Sequence, residues 1–578
     1  MNEPDSKAYG DSWYAATMVD VPPRPPLSLD LDVDVCVIGG GLAGLTTARE
    51  VARRGWSVVL LERGRLAQSA SGRNTGFVLP GFGADADKLV ARVGFERSKD
   101  LWSLAQAGLD YVRRNAQSEA AGRIDAQNGW LYVSKKDNSD EFVDYVALLG
   151  ELGCEIEGWQ TERVRAVLRS ERYFNAINYL QAMTVHPLNY ALALAAAAER
   201  DGARIFEHTP ALSIDPAGIR KRIVTPGARL RADHVVLCGN VELGGLLPRL
   251  AATLIPMTTY VITTAPLGEK LTEAVGYPGG ISDSDHADNH YRIVGGDRMM
   301  LSGRATAWVR DVRHYVGALT GDIKKTYPQL GDVTAEYAWN GTLGLTVHRM
   351  PQIGELGPGV WLASGFGGHG LNTTAMAGNL IARAVVEGDQ TWRQFTPFEL
   401  VWAGGVFGRA AAQARAWIKR LRNRIEARRA KARELMHRQM RDAEAARAAR
   451  QAAAALSIQE TEQVTAPLET VQAGTTQQEG VLQEPLQEEP VVQGPVWQEP
   501  VSMPASLPAD VAEVALVASD QPDSLAPTPL PVPSGGEELA PTEAADTTRP
   551  PLAPPKRKMR RASAKRKSEQ AANQDLKP

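Results

Sequence analysis

The chain has 578 residues, 43% of them hydrophobic, and a formal net charge of -3. That is apolar material for more than one globular core, and a near-neutral balance names no partner by charge alone. Three scattered cysteines, Cys36, Cys154 and Cys238, are too few for a disulfide framework or a zinc site, so no metal is expected and a reducing cytosol is the simplest setting.

The first twenty residues lack the apolar stretch of a secretory signal. No run approaches the ~18–20 uninterrupted apolar residues of a membrane span. The expectation is a cytoplasmic protein, at most peripheral to a membrane.

Residues 32–64 read "DVDVCVIGGGLAGLTTAREVARRGWSVVLLERG". The apolar run "VDVCVIG" suits a parallel strand covered on both faces. Gly39, Gly41 and Gly44 then form G-x-G-x-x-G: room for a tight turn, backbone approach to a pyrophosphate, and close packing of helix on strand. The helix that follows, beginning with Leu42 and Ala43, turns its positive end toward the phosphates. A second strand, "SVVLLE", delivers Glu62 and Arg63, where an acid accepts a bond from a ribose hydroxyl and disfavours the extra phosphate of NADP. The turn alone does not separate NAD from FAD.

Two later stretches favour FAD. In "SASGRNTGFVLPG", the small residues Ser69, Ala70, Ser71 and Gly72 leave backbone donors open, with Arg73 and Asn74 as further donors, as a loop against a pyrophosphate and flavin would need. Some 300 residues after the first turn, the strand "VWLAS" runs into "GFGGHG", with Gly367, Gly368, His369 and Gly370, and a helix starts near Leu371. A helix N-terminus there suits the negative charge that a reduced flavin develops.

With "SWYAAT", "HPLNYALALAAAAERDGARIFEHT", "YVITTAPL" and "YAWNGTLGLTVHRMPQIGE", these motifs resemble, in order, the FAD-dependent amine and amino-acid oxidases of the D-amino-acid oxidase and glycine/sarcosine oxidase superfamily, most of all γ-glutamylputrescine oxidoreductases. The resemblance covers roughly residues 10–420. It implies an α/β fold: a Rossmann-like FAD-binding domain assembled from about 31–80, 186–255 and 345–420, and an α+β substrate domain with an antiparallel sheet from about 81–185 and 256–344. It also implies that the chain around Thr209–Leu212, with Ala211, meets the adenine and that Gly239 lies near the cofactor.

The implied chemistry is hydride transfer from the carbon beside an amine nitrogen to flavin N5, the imine then hydrolysing in water. With no second nucleotide fingerprint, O2 (giving hydrogen peroxide) or a quinone is the expected acceptor. Amino-acid oxidases of the superfamily often carry a G-L-R-P-like stretch whose Arg grips a carboxylate; here Leu343 stands at that place, which favours an amine or a carboxylate held elsewhere. His369 is expected at the flavin. His348 and Arg349 are candidates for the site, with a turn cap and a structural ion pair as their alternatives. The resemblance adds Tyr260, Tyr291 and Arg292 on the substrate side. No His or Cys occurs in "LAQSASGRNTG", and Cys36 and Cys238 fall in apolar strands, so noncovalent FAD is expected.

From Arg409 to about Leu456 the chain is rich in Ala, Arg, Lys, Glu and Gln without Gly or Pro, predicting a long basic helix whose first turns pack on the FAD domain and whose core is 421–456. Trp417, Leu421, Ile425, Met436 and Met440 give it a partial apolar stripe. Residues 457–578 are expected to be disordered, with a basic cluster at 556–567. These basic segments could meet nucleic acid or an anionic membrane. Two other readings remain open: an amino-acid dehydrogenase feeding quinone, and a nucleic-acid-binding protein carrying an accessory flavin domain.

Overall fold

The structure, a computed structural model, describes residues 8–118, 121–136, 139–283 and 289–464. The low-complexity segment beyond 464 and the basic cluster 556–567 lie outside the described residues.

Two sheets organise the described chain. The first has eight strands, six of them in the order Gln352–Gly357, Val360–Ser364, Arg229–Leu237, Leu31–Ile38, Val58–Leu61 and Arg204–Phe206. The four pairings from Val360–Ser364 to Arg204–Phe206 are parallel, as in a Rossmann-like layer. Leu31–Ile38 is central because it can be covered twice. Val35 and Val37 face the helices Leu42–Arg53 and Gly370–Glu387, while Cys36 and Ile38 face a second core with Val59, Leu61 and Leu237. Among the described residues the cysteines are unpaired, and burial pushes the Cys238 thiol up to about 12.

The stretch "ARIFEHTPALSID" does not form one strand. It splits into Arg204–Phe206 and Ser213–Asp215, because His208 takes a left-handed backbone (φ 50°) and the Thr209 amide donates to Glu62 O. That break carries Thr209–Leu212 over the first sheet's edge.

The second sheet has nine strands, running Ala335–Leu345, Ile255–Thr264, Arg298–Thr306, His290–Val294, Gly280–Asp283, Gln127–Val133, Ala176–Thr184 and Phe77–Val78, with Ile156–Trp159 also on Ala176–Thr184. It is antiparallel except where Gly280–Asp283 runs parallel to Gln127–Val133.

The long helix spans Gly405–Val464, 60 residues. It includes 457–464, expected to be disordered, since no Gly or Pro interrupts that stretch. Its first turns rest on the second sheet, not on the parallel one. Gln413 Oε1 accepts from the Ala307 amide at 2.9 Å, Arg409 donates to Ala307 O at 2.7 Å, and Ala412 packs in the cluster of Met257 and Leu345. Small side chains at 412 and 416 let the helix lie close, where the Ala307 amide and carbonyl meet Gln413 and Arg409. No described helix is long and apolar enough to cross a membrane.

Candidate active site

A cavity of about 2060 Å³ runs between the two sheets, roughly twice the upper end of a small-molecule pocket. One wall is the turn after Leu31–Ile38. Gly39 has φ 114°, and a Cβ there would stand 2.9 Å from the Cys238 carbonyl carbon. At Gly44 a Cβ would come within 2.0 Å of Gly39 O, so glycine is what lets the helix seat against the turn. Gly39, Gly41, Leu42 and Ala43 line the cavity; Gly44 lies behind them and serves packing.

Glu62 and Arg63 line the same space. Glu62 accepts from the Gly40 amide (2.7 Å) through Oε2 and from the Gly64 amide (2.8 Å) through Oε1. Each oxygen keeps a lone pair for a ribose hydroxyl. Burial holds its carboxyl above the usual range, partly offset by those two amides.

The loop Ser69–Asn74 closes over this turn, but its donors are spent differently from the expectation. Ser71 Oγ accepts from the Leu42 amide at 3.0 Å. Arg73 donates to Asn340 O (2.8 Å) and Tyr9 O (3.0 Å), and Asn74 Nδ2 donates to Ala70 O and Ser71 O. Gly72 is turned toward Ala67 O and does not line the cavity. Arg73 and Asn74 therefore brace the loop, because backbone carbonyls reach them first. Ser69, Ser71, Arg73 and Asn74 still form part of the wall.

Ala211 and Gly239 line the cavity, as do Gly367, Gly368, His369, Gly370, Leu371 and Leu343. His369 precedes the helix Gly370–Glu387, and its Nδ1 is buried without a hydrogen-bond partner. Burial, with His290 nearby, lowers its pKa to about 4; Asp85 opposes weakly. His290 also faces the cavity and is lowered to about 4 by burial. Its Nδ1 lies 2.6 Å from Ser282 Oγ, which accepts from Trp130 Nε1 at 2.7 Å. Both imidazoles are part-exposed, and they border the cavity. Trp130, Tyr132 and Tyr179 add an aromatic wall, with Trp130 and Tyr179 stacked.

Three expected substrate-side residues do not line the cavity. Tyr260 is fully buried, its hydroxyl 3.0 Å from Thr306 Oγ1 and accepting from the Arg310 amide. Tyr291 points its hydroxyl at Tyr173 and Tyr327. Arg292 is buried, donating to Val185 O (2.9 Å) and Thr184 Oγ1 (3.3 Å). Strand alternation is the reason for Tyr291: on His290–Val294, His290 turns into the cavity, so Tyr291 turns to the opposite core. His348 and Arg349 do line the cavity. His348 spends both ring nitrogens locally, Nδ1 on the Met350 amide and Nε2 on Glu399 O. The residue missed was His290, one position from Tyr291; period-2 reading of "NHYRIV" was the available signal.

The two glycine-bearing walls fit FAD. A cradle that a Cβ would fill, an acid beside it and a second helix N-terminus bound one continuous space. Among the described residues no cluster of metal-ligating side chains occurs.

Residues 34–384 match the family model described as DAO, FAD dependent oxidoreductase. The chain is 30% identical over 395 residues to gamma-glutamylputrescine oxidoreductase of Escherichia coli (strain K12), covering 65% of this chain and 89% of that protein. It is 30% identical over 378 residues to a probable oxidoreductase OrdL of Rhizobium meliloti (strain 1021), covering 64% and 87%. The fold is similar to glycine oxidase from Geobacillus kaustophilus, with a TM-score of 0.54 at 20% identity over 64% of this chain and 98% of that one.

Proposed function

The chain belongs to the DAO family of FAD-dependent oxidoreductases, and from that premise we propose that it oxidises the C–N bond of a primary or secondary amine of the γ-glutamylputrescine kind. FAD, when bound, takes up the hydride equivalent from the carbon beside nitrogen. The chain's own residues supply the rest. Trp130, Tyr132 and Tyr179 exclude water and hold the substrate's carbon chain. His290 and His369, kept neutral, border a dry pocket that favours the amine as its free base, the proton staying with solvent, so that the nitrogen lone pair is free. Ser282 holds His290 through its Nδ1, with Trp130 Nε1 donating to the same serine oxygen.

The observation that carries this reading is the pair of uncharged imidazoles facing the cavity where Leu343 replaces a carboxylate clamp. Arg349, which lines the cavity, is the candidate to hold a carboxylate at the far end of a longer substrate. Oxygen serves as acceptor, with release of hydrogen peroxide; a quinone is the alternative. The E. coli relative, by its name a gamma-glutamylputrescine oxidoreductase, supports the substrate class.

The test is an anaerobic screen of flavin absorbance. Bleaching by γ-glutamylated or secondary amines, and not by simple α-amino acids, is expected. Bleaching by α-amino acids alone would overturn the reading. Peroxide release on admitting air separates oxygen from a dye or quinone acceptor.

A further inference from the structure

One surface of the described chain is not explained by the flavin site. Just before and along the start of the long helix, large apolar side chains stand in solvent: Trp402 (67% exposed), Val406, Phe407 (84%), Trp417, Ile418 (60%), Leu421 and Ile425. On a helix of 3.6 residues per turn, Phe407, Ile418, Leu421 and Ile425 share one side, away from Gln413, which is buried against Ala307. The helix thus has two apolar faces, one packed on the second sheet and one bare. Arg415, Arg422 and Arg429, seven residues apart and exposed, run along one flank of the bare face. Over 409–433 the sequence has ten Lys/Arg and one acid.

Charge decides among occupants. A second copy could use Ile418, Leu421, Ile425 and Ala432 as a coiled-coil seam. Arg422 and Arg429 flank that seam at the same heptad position, so two such helices packed antiparallel would set like charges against each other. Nucleic acid would satisfy the arginines and leave Phe407, Ile418 and Leu421 in water. An anionic bilayer surface satisfies both: apolar side chains enter the headgroup boundary, tryptophans sit at its level and arginines meet phosphates.

We propose that this face, from Trp402 through Ile425, docks on the surface of an anionic phospholipid bilayer. The consequence rests on the flavin reading above. Trp402, Gly408, Ala411, Ala412 and Ala416 also line the cavity, so its small-residue wall lies beside the docked face. A lipid-soluble electron acceptor would then reach the cavity from the bilayer.

The test uses the full chain with FAD bound and phosphatidylcholine vesicles, with and without phosphatidylglycerol. Sedimentation with the anionic vesicles, weakened by salt and absent with plain phosphatidylcholine, is expected. The triple substitution Phe407→Ser, Ile418→Ser, Leu421→Ser is expected to lower binding about tenfold or more, with flavin absorbance unchanged. The pair Arg422→Glu, Arg429→Glu is expected to abolish the preference for anionic lipid. A full chain that stays in the supernatant overturns the proposal. A dimer that the triple substitution splits, or duplex DNA binding that it leaves intact in place of vesicle binding, also overturns it. Pelleting is read from protein and the flavin reading from absorbance, so the two fail separately.

Discussion

Ser282 Oγ lies 2.6 Å from His290 Nδ1, and that contact determines which nitrogen of the imidazole can act. Ser282 comes from Gly280–Asp283 and His290 from the neighbouring antiparallel strand, where the two residues are register partners. The serine thus reaches its histidine across the ladder. His290→Ala is expected to lower kcat/KM about tenfold with flavin content unchanged, the upper end of what one hydrogen-bonding contact to the substrate contributes. Ser282→Ala is expected to lower it about tenfold, through a misplaced ring. Steady-state kinetics on flavin-matched samples checks both; an unchanged kcat/KM for His290→Ala would remove it from the chemistry.

Stability should fall on mild acidification. His186, His290 and His369 all titrate below the ordinary 6.5, at about 3, 4 and 4, chiefly because burial disfavours the imidazolium. His186 Nδ1 accepts from the Asn189 amide, a bond that protonation would break. The unfolded chain binds these protons below about 6.5 and the folded chain does not, so stability is full above that pH and is lost as pH falls toward about 4. Each histidine contributes about 1.4 kcal/mol per pH unit in that window. Urea midpoints from pH 7 to pH 5 check the slope; a flat profile contradicts it.

Gly39→Ala tests the cradle. The φ of 114° disfavours alanine, and its Cβ would meet Cys238 backbone at 2.9 Å. The turn must shift, and FAD affinity is expected to fall tenfold or more, about 1.4 kcal/mol. The flavin-to-protein absorbance ratio reads this directly. Full retention of colour after dialysis would separate the turn from the cofactor.

Leu343→Arg tests the missing clamp. Leu343 lines the cavity, and the next residue, Gly344, accepts through its carbonyl from the Gly367 amide at 3.2 Å. A guanidinium there is expected to raise the preference for α-amino acids over amines roughly tenfold, since a charge-assisted bond is worth about 1.5–3 kcal/mol. Comparing kcat/KM for an amino acid and an amine checks it. No change in the ratio would place substrate elsewhere.

Acid precipitation is expected to release all flavin into the supernatant. Yellow colour retained in the pellet would show a covalent bond.

The mixed fold and the FAD-binding turn were legible in the sequence because their signals are local. A doubly covered strand must be apolar throughout, as Val35–Ile38 is, and a helix packed on a turn admits only glycine at 44. The order of the motifs carried the family as well. Only the tertiary structure decided which side chains face the cavity. Register one residue off sends a side chain to the other face, so His290 and not Tyr291 borders the site. Arg73, Asn74 and Arg292, plausible donors by type, met carbonyls that the folded chain brought within reach. Whether Ile418 and Leu421 were core or surface also depended on what the fold packs beside them, since an apolar period tells only that a face wants cover and not what covers it.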